Sequence, residues 1–133
     1  MINATKMLTT MAKPIIKNPD PMCNNLDYLR DLLGNDTQAM QDIVREIKDQ
    51  WADDARELAA AVLSRNIAEM KRLLHRIKST FSPLGPDHLL YKEIANAAEM
   101  MPTVEAAGVD MRFWSDLILN LENEVSDLKV ATT

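Results

Sequence analysis

The segment His75-Arg76-Ile77-Lys78-Ser79, with Gly85 six residues further on, lies near the middle of the chain and organises it. At about 100° per residue, the apolar side chains around it fall on one side of a helix. These side chains are Met70, Leu73, Leu74, Ile77 and Phe81. His75 points about 140° away from Met70, on a side shared with basic and small residues. The pattern therefore predicts an amphipathic helix that holds its imidazole away from the core.

Two helices are predicted before this segment, and no alternating strand pattern interrupts them. Leucines at helical spacing form a short helix that Gly34 can end in a left-handed conformation. Asn35 or Asp36 then caps a long helix that runs to a turn at Arg65-Asn66. The apolar stripe of the long helix is Met40, Ile43, Val44, Ile47, Trp51, Ala55, Leu58 and Val62. The carboxylates predicted for its solvated face are Asp53, Asp54 and Glu57.

Two more helices are predicted after the segment, and prolines mark where helices end. The His75 helix ends by about residue 82, because Pro83 disfavours helical geometry in the residue before it. Pro86 suits the first position of the next helix, which Pro102 stops. A non-helical connection follows, and Asp110 caps the last helix. Four long amphipathic helices with short connections predict an all-α fold, an antiparallel up-down four-helix bundle with a short additional N-terminal helix.

The chain divides into an N-terminal leader of uncertain order, residues 1–23, and a helical bundle domain, residues 24–130. Lys6, Thr9 and Lys13 interrupt the leader, so we expect neither a signal peptide nor a membrane-spanning segment. Cys23 is the only cysteine and is interpreted as an incidental thiol, which suits a reducing compartment. The chain also lacks a long heptad run with charged flanks. We therefore expect a cytoplasmic monomer.

The charge is unevenly distributed along the chain. The net charge is -5, which argues against nucleic acid or an anionic membrane as the partner. Between Arg65 and Lys78, however, five cations stand against the single anion Glu69. An acidic protein that concentrates cations around one exposed histidine is expected to handle a small anion there.

Several kinds of chemistry are disfavoured by the residue pattern. A metal site in a bundle uses Glu-x-x-His pairs, and neither His75 nor His88 has a glutamate three residues before it. Ser79 lies one turn from His75, but no paired acid completes a hydrolytic triad. A glycine-rich phosphate loop is absent. What remains is a neutral imidazole that attacks a phosphoryl group brought by a partner, with Lys78 contacting its oxygens.

The pattern His75-x-x-Lys78-Ser79, with Gly85 ten residues after the histidine, resembles the histidine-containing phosphotransfer (HPt) domain family over residues 26–129. The resemblance implies that His75 accepts the phosphoryl group and Lys78 stabilises it. It also implies receiver domains of response regulators or hybrid histidine kinases as partners, which contribute the aspartate and Mg²⁺. The chain would then need no cofactor of its own and would not be an enzyme by itself. Ser79 departs from the glycine that is usual at its position.

The residues predicted to dock the partner share the face of His75 or flank it. They are Ala68, Lys71, Arg72, Arg76, Ser79, Ser82 and Gly85. For Arg72 and Arg76 two interpretations stay open, a contact with an acidic receiver face or plain solvation. His88 is interpreted as a surface residue, and both tryptophans as core residues.

Two other functions remain open. One is a non-catalytic adaptor, a bundle that docks receivers or other partners and carries no phosphate. The other is a small metalloenzyme, which would contain bound metal when purified.

Overall fold

A computed structural model describes residues 26–130, and within this range the chain forms helices and turns without a strand. The helices are α1 (Asp27–Leu32), α2 (Thr37–Leu63), α3 (Ile67–Phe81), α4 (Leu89–Glu99), α5 (Met101–Ala107) and α6 (Met111–Asp127), and a short 3₁₀ turn, Ser82–Leu84, follows α3. The prediction of an all-α fold is confirmed. The predicted leader and Cys23 lie outside the described residues. No helix in the described range combines the length and apolar character that a membrane crossing requires.

The three longest helices each begin with a side-chain cap. Asp36 Oδ1 accepts a hydrogen bond from the Ala39 amide at 3.0 Å, at the start of α2. Asn66 Oδ1 accepts one from the Glu69 amide at 3.1 Å, at the start of α3. Asp110 Oδ1 accepts one from the Phe113 amide at 3.2 Å, at the start of α6. Each cap satisfies an amide that has no partner within its own helix, so the starts read from the sequence are confirmed.

The hydrophobic core lies where α3 packs against α2 and α4, and where α2 packs against α6. The predicted stripe of α3 is confirmed, since all five of its residues are fully buried. Trp51 and Trp114 are also buried, as predicted, and the Trp51 ring lies 5.9 Å from that of Phe81. Trp51 Nε1 donates a hydrogen bond to Glu122 Oε1 at 2.8 Å, which satisfies its only polar atom.

The prediction of a non-helical connection after Met101 is wrong. The segment Met101–Ala107 is helical, with Pro102 in its first turn. A proline is tolerated there because the first amides of a helix need no partner within the helix. Pro86 does not begin α4 either. His88 is the residue before α4, and its Nδ1 accepts a hydrogen bond from the Leu90 amide at 3.1 Å.

Two polar residues expected at the surface are buried. His88 is only 4% exposed, because its ring turns inward to cap α4. Asp54 is fully buried, because Arg76 of α3 covers it. Both predictions of a solvated position are therefore wrong, whereas Asp53 and Glu57 are exposed as expected.

Candidate functional site

The predicted phosphoacceptor, His75, lies on the exposed side of α3. Its orientation follows from the opposite side of the helix, where Leu73, Leu74 and Ile77 are fully buried. Rotating α3 to bury the imidazole would bring these side chains into water, at about 1.5–3 kcal/mol for each. No described residue forms a hydrogen bond or an ion pair with His75. Among the described residues, none occupies either ring nitrogen.

Lys78 lies one turn along α3 from His75 and is half-buried. Side chains three residues apart are neighbours on a helix surface, with Cβ atoms about 5–6 Å apart. Within the described part of the chain, no carboxylate lies within ion-pair distance of Lys78. Lys78 is therefore a positive charge one turn from the imidazole that no described residue neutralises.

The small residues predicted to allow close approach are exposed on α3 and just after it. Ala68, Ser79 and Ser82 are all exposed. The Ser82 hydroxyl donates a hydrogen bond to the Ser79 carbonyl oxygen at 2.8 Å, so it is directed back onto the helix end. Together with His75 and the longer side chains of Lys71 and Lys78, they form a surface with small side chains on either side of the imidazole. A partner's backbone can come close to such a surface.

The arginines of α3 lie against α2, and their charges are compensated. Arg72 contacts Glu69 through two hydrogen bonds of 2.8 and 2.6 Å, and it also reaches Glu57. Arg76 donates to Asp54 from Nε at 2.8 Å and to Glu57 from Nη2 at 2.8 Å. These contacts raise the pKa of both arginines, and Arg72 lowers the pKa of Glu69.

The excess of cations read from the sequence is therefore mostly neutralised by the fold. Lys71 also has a partner, Glu105 of α5, at 3.2 Å. The ion pairs of Arg72 and Arg76 offset the positive charge from which an anion site was expected, and that expectation stays a prediction. Both arginines keep a substantial exposed fraction, 50% and 36% of the side chain, so partner contact by their outer edges stays a prediction.

Gly85 lies beneath α1 and not on the exposed face of His75. It is buried, with φ +102°, and a Cβ atom there would lie 2.7 Å from Cγ of Tyr28. Glycine is thus required by the backbone conformation and by the close approach of Tyr28. The Gly85 amide donates a hydrogen bond to the Ser82 carbonyl oxygen at 3.0 Å, so Gly85 adjoins one predicted docking residue but is itself buried.

Asp54 is the residue near the site whose role sequence reasoning missed. Its Oδ1 accepts hydrogen bonds from Gln50 Nε2 at 3.0 Å and from Arg76, and its Oδ2 is buried without a partner among the described residues. The sequence position of Asp54 indicated its burial, because position 54 falls between Trp51 and Leu58 on the apolar stripe of α2. An acid on such a stripe predicts a buried ion pair.

Metal-binding residues do not cluster in the described range, where no group of three or more His, Cys, Asp or Glu side chains is placed to hold an ion. Comparison of the chain with models of known protein families, with curated proteins and with solved structures found no match.

Proposed function

We propose that the chain is a histidine phosphotransfer protein that carries a phosphoryl group between receiver-domain aspartates in a two-component phosphorelay. The observation that supports this most strongly is the exposed His75 imidazole one turn from Lys78, with no hydrogen-bond or ion-pair partner for either side chain among residues 26–130. In this proposal α2, α3, α4 and α6 form an antiparallel up-down bundle of the HPt type. The bundle holds the imidazole on a rigid helix, where a partner can reach it.

The proposed reaction is an in-line displacement at phosphorus. The unprotonated ring nitrogen of His75 attacks the phosphoryl group on a receiver aspartate, forming an N–P bond as the bond to the aspartate oxygen breaks. The aspartate leaves as a carboxylate, and the imidazolium formed on His75 can release the proton on its other nitrogen to water. Transfer to a second receiver reverses these steps.

Lys78 stabilises the charge on the transferred group. An ammonium one turn away can contact the phosphoryl oxygens as they move towards the imidazole. Mg²⁺ would be supplied by the receiver, which also positions its own aspartyl phosphate. Because the site lies on an open helix surface, its substrate is a protein domain and not a small molecule.

The test is phosphotransfer from receiver domains carrying labelled aspartyl phosphate. We expect acid-labile, alkali-stable label on the wild-type protein and none on His75→Gln. The matched control is His88→Asn, because asparagine can still accept the hydrogen bond that caps α4, and this variant should be labelled like the wild type. Label that persists in His75→Gln would place the acceptor elsewhere. Receiver binding without any label would favour the adaptor function.

A further inference from the structure

Two carboxylates of α2, Asp54 and Glu57, pair with arginines of α3, but the row of arginines on α3 stops partway along the helix. Arg72 contacts Glu57, and Arg76, one turn further along α3, contacts Asp54. The residue one turn beyond Arg76 in the same row is Thr80. The Thr80 side chain is too short to reach a carboxylate of α2 as the two arginines do. Its hydroxyl donates a hydrogen bond to the Arg76 carbonyl oxygen instead.

A groove of about 470 Å³ opens beside Thr80, where the row of arginines ends. Its lining consists of Ile43, Glu46, Ile47, Asp49, Gln50, Asp53, Ser79, Thr80 and Pro83. Three of these residues are acidic and none is basic. Asp53 is paired with Arg56, whereas Glu46 and Asp49 have no ion pair within the described range. The groove thus combines apolar walls from isoleucine and proline with two carboxylates that no described residue compensates.

The groove also adjoins the surface around His75. Ser79, which lines it, lies one turn from His75 on the same side of α3. A protein that reaches the imidazole therefore has this groove at the edge of its contact.

We propose that the groove receives an arginine or lysine side chain of the receiver domain that brings the phosphoryl group. The protein already pairs the neighbouring α2 carboxylates with guanidinium groups of α3, so the same chemistry is expected at the position where α3 supplies none. The stem of the cation packs on the apolar walls while its charged end meets Glu46 and Asp49. This inference rests on the proposed function, because the partner that it names is the phosphoryl donor.

The test measures receiver binding and phosphotransfer for variants of the groove. It uses the receiver domain that binds the wild-type protein most tightly. Glu46→Gln/Asp49→Asn removes both negative charges. It should raise the Kd for receiver binding and the KM for transfer about three- to tenfold at low salt, and by less at high salt. Asp116→Asn/Asp127→Asn, which neutralises two exposed carboxylates of α6, is the matched control and should change neither.

A second variant fills the groove from within the protein. Thr80→Arg continues the row of Arg72 and Arg76 and should weaken receiver binding while the helical fold and its melting temperature are retained. If the receiver binds the wild type, Thr80→Arg and the neutralised variant equally, the groove is not its docking site. The inference is equally overturned if no receiver binds the wild type.

The two proposals fail separately. Label on His75 with an unchanged KM in both groove variants overturns the groove assignment and leaves the carrier function intact. Receiver binding that depends on Glu46 and Asp49, without label on His75, supports the groove and contradicts the carrier function.

Discussion

At the scale of single residues, the site depends on which charges of α3 have internal partners. Arg76 follows His75 directly, yet its guanidinium lies against Asp54 and Glu57, about 100° around the helix. Lys78 has no such partner within the described range. The sequence predicted the direction of His75 correctly from periodicity, but it could not show which cations α2 would neutralise, because that depends on how two helices pack.

Lys78 should act on the transfer rate more than on stability. We expect Lys78→Ala to lower the rate of phosphotransfer roughly tenfold, because one charge-assisted contact to the phosphoryl group is lost. Lys78→Arg keeps the charge and should recover most of the rate. Single-turnover transfer from a labelled receiver measures both, and equal rates for Lys78→Ala and the wild type would exclude this role.

Gly85 should be intolerant of any side chain. Gly85→Ala adds a Cβ that meets Tyr28 and also forces alanine into a backbone region that only glycine adopts readily, so we expect a loss of about 3–5 kcal/mol. Gly108→Ala is the matched control, because Gly108 has a similar φ of +96° but open space around it, and should cost about 1–3 kcal/mol. Chemical denaturation measures the difference, and equal losses would show that Tyr28 imposes no constraint.

At the scale of elements, polar side chains fix where helices begin and how α2 and α3 meet. The caps at Asp36, Asn66 and Asp110 were predictable, because a cap is a local feature of the sequence. Helix α5 was not predictable from the sequence, because a proline such as Pro102 can either end a helix or lie in its first turn. The burial of His88 was missed for a similar reason, since histidine is an uncommon cap and its ring can turn either way.

Asp54 should contribute more to stability than its neighbour Asp53. Asp54→Ala removes a buried acceptor of hydrogen bonds from Gln50 and Arg76, so we expect a loss of about 2 kcal/mol. The loss stays moderate because Arg76 is part-exposed and keeps its contact with Glu57. Asp53→Ala removes an exposed ion pair with Arg56 and should cost less than about 1 kcal/mol. Urea unfolding of the two variants measures both values. Similar losses would contradict the structural role of the buried pair.

The contact between Glu69 and Arg72 should make stability depend on pH. Hydrogen bonding to Arg72 lowers the pKa of Glu69 in the folded protein. A carboxyl group with a lowered folded pKa stabilises the fold above its unfolded pKa, and this contribution is lost as the pH falls through the folded pKa. We expect Glu69→Gln to show a smaller loss of stability on acidification than the wild type, as measured by thermal melts at several acidic pH values. Parallel curves for the two proteins would contradict this coupling.

At the scale of the whole molecule, the packing of the helices leaves one side of α3 exposed. The core buries the apolar side of α3 between α2 and α4, so the opposite side carries His75, Lys78 and Ser79 outward. The all-α fold and this exposed side could be predicted from hydrophobic periodicity alone. The groove beside Thr80 could not, because it depends on the absence of a long side chain at a point where two helices meet.

The most direct test of the carrier function is to locate the phosphoryl group on the intact protein. After incubation with a phosphorylated receiver, mass spectrometry at neutral pH should find one added phosphoryl group, and fragmentation should place it on His75. A phosphoryl group on any other residue, or none under conditions in which the receiver binds and discharges, would contradict the proposed function.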